Sequence, residues 1–258
     1  MITIVPTLVP MAAVYRLART GGPRSPRFAA YVQHAQSSWG FAAYNPMAGD
    51  HARDTVDALV ALDAERIVAE EATRVAGVLA WRDPITLAVV VASPGMWTDR
   101  LATETLHRTH GERRAGHGLV TLWAREEMTA ALVRREAAAE TVRTIWHAQH
   151  GVAHTVATVV AREGLAYAMA GELPTLEAEV ADAVAGAFAV VRESDAMGDA
   201  VALLFGDDAA SAQEWPTIGI AERAGERWAV RRAHAALAAI GAAAAMRAGA
   251  RGIIPERP

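Results

Sequence analysis

The sequence predicts an α+β fold, predominantly helical, in which a small sheet packs against long helices. Three observations carry this. Alanine-rich stretches repeat their apolar residues at helical spacing, above all over 51–81, 129–150 and 225–249. Only two segments, Thr86–Ala92 and Leu119–Trp123, have the length and the apolar, partly β-branched character of buried strands. No internal repeat and no linker divides the chain, so its 258 residues read as a single globular domain with ample apolar material for a core.

Residues 2–16 read as extended, and Pro6 and Pro10 assign them to an edge strand or an irregular arm. Thr20–Pro26 is a loop on its Gly-Gly-Pro and Ser-Pro content. Trp39–Gly49 reads as a short strand ending in a turn, and Asp50 is placed to cap a helix over 51–81. Val56, Leu59, Val60, Leu62, Ile67 and Val75 mark its buried side. The near-continuous apolar run Thr86–Ala92 implies a strand covered on both faces. Ser93–Trp97 turns into a helix capped by Thr98 and reaching His110, and the polar loop Gly111–Gly116 leads to the second strand. A helix from Thr129 runs through a histidine cluster, with Gly151 and Gly164 as stops. Helices over 175–191 and 225–249 follow, and 200–205 fits a strand or a helical turn equally well. On the last helix Ala238, Gly241, Ala242 and Ala245 form a small-residue face that lets another helix come close, within the chain or across a homodimer.

Composition narrows the chemistry. All 25 basic side chains are arginine, and cysteine is absent. Thiolate nucleophiles, iron–sulfur clusters, Schiff-base lysines and the P-loop lysine are therefore excluded. A net charge of -4, a pI near 6.1 and scattered arginines give no basic stripe, so no nucleic-acid partner is expected. The apolar N-terminus lacks a positive flank, and the small-apolar run 233–245 is too short and alanine-rich for a membrane helix. No membrane contact and a cytoplasmic location are the expectation. Gly-x-Ser-x-Gly and Gly-x-Gly-x-x-Gly are both missing.

The richest constellation lies in the helix beginning at Thr129. On an unbroken helix Glu136, Glu140, Arg143, His147, His150 and His154 fall within roughly 60° of one another. His150 and His154 stand at i, i+4, the spacing at which two imidazoles share a metal ion. His147 and His154 are separated by about 10 Å of rise, so one ion takes two of the three. Glu104 and His107 form a Glu-x-x-His pair, the carboxylate–imidazole unit of di-iron bundles, and would add ligands if that helix packs against this one. The bland reading of the same residues is an amphipathic helix with a solvated polar face.

Arg162-Glu163-Gly-Leu-Ala-Tyr167 resembles the Glu-Gly-Leu-Ala segment that supplies the third zinc ligand in gluzincin metallopeptidases. The resemblance covers about five residues and implies a ligand role for Glu163. The His-Glu-x-x-His of that family is not found: Thr103 stands where the first His of 103–107 belongs, and Gly151 where the Glu of 150–154 belongs.

These residues together lead to the expectation of a metal-dependent enzyme, a hydrolase acting on a small molecule or peptide through zinc or iron. His147, His150, His154, Glu104 and His107 are the candidate metal ligands. Glu140, Arg143 and Glu163 are the candidate catalytic groups, with a glutamate as general base and Arg143 orienting an anionic substrate group. The alternatives are a non-enzymatic helical binding or scaffold protein, homodimeric through its small-residue face, and a helical non-haem iron oxygenase.

Overall fold

The computed structural model describes residues 1–18, 25–35, 44–92 and 115–254. Most of the expected loop over 20–26, the first five residues of the strand-like stretch 39–49 and the helix carrying Glu104 and His107 lie outside the described residues, while 44–49 form a turn and not a strand. The described chain is α+β and predominantly helical. Three parallel strands, β1 (Ile2–Val5), β2 (Ile85–Ala92) and β3 (His117–Trp123), form the sheet in that order, with Ile2 opposite Ile85 and Thr86 opposite His117. β2 is the central strand and is buried along nearly its whole length, as its apolar run predicts.

After β1 the chain is helical, where an extended arm was expected: α1 spans Leu8–Arg16 and contains Pro10. Pro10 sits in the first turn, where a backbone N–H has no partner within the helix, so its missing donor costs nothing. The N–H groups that do need partners, those of Thr7 and Leu8, donate to one oxygen of Glu65 at 2.6 and 2.9 Å. Thr7 Oγ1 donates to the Val89 carbonyl at 2.6 Å, which ties the start of α1 to β2. Glu65→Ala is therefore expected to lower unfolding free energy in urea by about 1–2 kcal/mol, and Glu65→Gln, which keeps an acceptor, by less. Equal losses for the two would show that packing rather than the acceptor matters.

α2 covers Pro26–His34, its first turn capped by Ser25, which accepts from Phe28 N at 3.1 Å. The single helix expected over 51–81 is two: α3 (Asp50–Ala61) and α4 (Ala64–Val78), separated where Asp63 adopts a left-handed φ of 54°. Gly49 takes the capping position, so Asp50 is the first helical residue and acts on the helix dipole instead. α4 and α5 (Ala130–His150) lie side by side on the sheet, α4 against β1 and β2 and α5 against β2 and β3. The helix begins at Thr129 as expected, with that side chain as its cap, and Gly151, at φ 77°, ends it.

The C-terminal part adds a helical layer on α5. α6 (Val156–Met169) runs back along it, held at its start by a reciprocal Thr155–Thr158 cap. Then come α7 (Ala178–Val191), α8 (Met197–Phe205), α9 (Asp207–Ser211), α10 (Ala224–Ile240), α11 (Ala242–Ala248) and α12 (Ala250–Ile253). Residues 200–205 are thus helical. Gly164, expected as a stop, lies inside α6 because its missing side chain is needed for packing: a Cβ there would stand 2.4 Å from the Ala229 carbonyl oxygen. The expected 225–249 helix breaks at Gly241, φ 78°, which splits the predicted small-residue face between α10 and α11. Among the described residues no helix is long and apolar enough to cross a membrane.

Candidate functional site

α5 was expected to bury one side and wet the other. Instead every residue from Ala137 to Trp146 is buried, because the sheet and α4 cover one flank and α6 the other. The polar stripe of α5 therefore divides. Glu140 and Arg143 lie inside the protein, 4% and 5% exposed, whereas His147 is half-buried and His150 and His154 are exposed.

The buried part meets α6. The guanidinium of Arg143 forks onto Glu163, with Nε 3.1 Å from both carboxylate oxygens and Nη2 2.8 Å from Oε2. Its Nη1 stands 3.6 Å from Glu140 Oε2, and its Cζ lies 5.2 Å from the centre of the Tyr167 ring. Arg162 Nε donates to the other oxygen of Glu163 at 2.9 Å. Glu140 turns its Oε1 toward the sheet, where the Leu119 N–H donates to it at 3.2 Å. Two carboxylates and two guanidiniums thus neutralise one another in a space almost closed to water. Burial alone would lower the Arg143 pKa, yet the facing Glu163 and Glu140 carboxylates hold it well above its usual value. Arg143 is a fixed cation here, not a proton donor.

Close helix–sheet contact sets this up. A Cβ at Gly118 of β3 would stand 2.2 Å from Thr144 Oγ1 and 2.9 Å from Glu140 Oε1, so only glycine lets α5 lie this near the strand. Thr141 and Thr144 return their hydroxyls to carbonyls one turn back, Ala137 and Glu140, at 2.7 and 2.8 Å.

The histidines do not converge. His150 packs its ring against Trp146, centroids 4.8 Å apart, and pairs its Nε2 with the Met246 carbonyl at 2.8 Å. His154 lies past Gly151, off the helix, so the i, i+4 relation with His150 is lost. Among the described residues no group of three or more His, Asp or Glu side chains is placed to hold a metal ion. Glu104 and His107 lie outside the described residues. Trp146, His150, Thr158, Arg247 and Arg251 line an open groove of about 430 Å³ at the end of α5.

The structure thus brings together all three predicted catalytic residues, Glu140, Arg143 and Glu163, but as a closed ionic cluster. Arg162 and Tyr167, which complete it, escaped sequence reasoning. Their signal was the antiparallel register of α5 and α6, visible only once Arg135 meets Glu172 at 3.7 Å and Arg143 meets Glu163. Comparison with protein-family models, with characterised proteins and with solved structures finds no match to this chain.

Proposed function

We propose that this chain is a non-enzymatic helical binding protein that pairs with a second copy of itself through α7. The observation that carries the reading is the exposure of α7. Apart from Glu179 and Asp182 every residue of α7 is apolar or glycine, yet only Val184 and Phe188 are buried. Valine and phenylalanine at this density normally mark a helix more fully enclosed than this one. Here Ala183, Gly186, Ala189 and Val190 face outward beside the carboxylates of Glu179 and Asp182, Val190 at 84% exposure, and a Cβ at Gly186 would meet nothing within 4 Å. Small residues at this spacing admit a second helix closely, and a two-fold pair presents the same face to itself.

The metal-dependent hydrolase and the iron oxygenase are the competing proposals. They draw on Glu140, Arg143 and Glu163, whose charges are engaged with one another, and on His147, His150 and His154, which join no group of three metal-ligand side chains among the described residues. Zinc or iron would have to be held by residues beyond this cluster.

Tag-free protein purified without chelator separates the readings. Light scattering is expected to give a dimer at micromolar concentration, and Val190→Asp a folded monomer whose thermal midpoint, unlike that of the wild type, does not change with protein concentration. Zinc and iron are expected well below one equivalent in wild type and in His150→Ala/His154→Ala alike. A monomeric wild type sinks the pairing. Near-stoichiometric metal that disappears in the double variant returns the hydrolase to first place.

A further inference from the structure

We infer that Ala139, Glu140, Arg143 and Glu163 form the frame of a zinc site in which the Arg143 guanidinium occupies the place of the ion. In a helical His-Glu-x-x-His site the two imidazoles stand at i and i+4 on one face, with the general-base carboxylate at i+1. A carboxylate from elsewhere completes the His2Glu set. In α5 the corresponding run is Ala139-Glu140-Thr141-Val142-Arg143. Its carboxylate is present at i+1, while the i position holds a methyl group and the i+4 position a guanidinium.

A carboxylate is at hand for the third ligand place. Glu163 comes from the neighbouring antiparallel helix and lies 2.8 Å from Arg143 Nη2, so its oxygens are within reach of a shorter side chain at position 143 bridged by a metal. Ala139 is fully buried one turn before Arg143, on the same flank of α5. Glu140 reaches the same guanidinium from the strand side at 3.6 Å and also accepts from the Leu119 N–H. A cation held between these two carboxylates is what a metal ion would supply, and here the protein supplies it covalently. The donor set does not fit a metal: the histidine seats are filled by an alanine and an arginine, and the arginine excludes a second cation by charge and by volume. This inference concerns α5 and α6 alone and stands or falls separately from pairing through α7.

The test restores the missing ligands. Ala139→His/Arg143→His, purified with zinc and desalted, is expected to retain about one zinc per chain. Adding Glu163→Gln is expected to abolish retention. Wild type is expected to retain none at this place. Zinc-free but folded double variant, or equal zinc with and without Glu163→Gln, overturns the inference. The Tyr167 ring lies close by, and the double variant could fail to fold. Arg143→His alone then decides: zinc should raise its thermal midpoint, and should not do so once Glu163→Gln is added. No rise with zinc also overturns it.

Discussion

Arg143→Met is expected to cost about 3–5 kcal/mol of unfolding free energy, read as a fall in the urea midpoint at neutral pH. Methionine preserves much of the volume but leaves Glu140 and Glu163 facing each other without the cation between them. Each is almost fully buried, so water cannot take the place of the guanidinium. Arg162 still holds one oxygen of Glu163, at 2.9 Å, which places Glu163→Gln lower on the scale than Arg143→Met. Glu140→Gln/Arg143→Met removes one charge of each sign, leaves Glu163 paired with Arg162 at 2.9 Å, and is expected to recover a large part of the loss, because breaking an ion pair costs more than replacing it. A fall below about 1 kcal/mol for Arg143→Met would mean that the cluster is hydrated or adapts, and that its geometry has little hold on α5 and α6.

The reasons parts of this arrangement were legible in the sequence, and parts were not, are physical. β2 announces itself because a strand covered on both faces needs an unbroken apolar run, which Val89, Val90 and Val91 help supply, whereas β3 is buried in alternation and shows through its short apolar stretch Leu119–Trp123. Thr129 and Gly151 mark the ends of α5 because caps are local chemistry. The division between α3 and α4 has no such mark: Asp63 is a non-glycine residue at positive φ, a conformation aspartate adopts only occasionally and no neighbouring glycine announces. The polar face of α5 misleads for a related reason. Glu140 and Arg143 carry the same pattern whether water or α6 lies beyond them, and only the partner helix decides. Glu163 was picked out through a five-residue resemblance, and its true neighbour is Arg143 of the preceding helix, not a histidine at 150 or 154. Periodicity reports which residues share a face but is silent about what covers that face.

Gly225→Ala and Gly164→Ala are expected to be severely destabilising, although alanine is the better helix former by about 1 kcal/mol. At Gly225 of α10 the added Cβ would stand 1.9 Å from the Leu203 carbonyl oxygen of α8, and at Gly164 of α6 it would stand 2.4 Å from the Ala229 carbonyl oxygen of α10. Both obstacles are backbone, fixed within their own helices, so relief requires whole helices to separate. Overpacking of this kind costs about 1–3 kcal/mol and exceeds that when no side chain can yield. The two sites differ in what they carry. Gly164 follows Glu163 directly, so any shift of α6 that relieves the clash disturbs the Glu163–Arg143 contact, and the cost combines with that of Arg143→Met to less than the sum of the two. Gly225 fixes α10 against α8, away from the cluster, and its loss should add in full. Thermal and urea unfolding of the two double variants, Gly164→Ala/Arg143→Met and Gly225→Ala/Arg143→Met, measure this difference. Where a double variant is too unstable to fold, the milder Glu163→Gln takes the place of Arg143→Met. Additivity at both glycines would show that the position of α6 does not control the cluster. Coupling confined to Gly164 would show that this glycine, by letting α10 seat α6, is what brings Glu163 onto the arginine of α5.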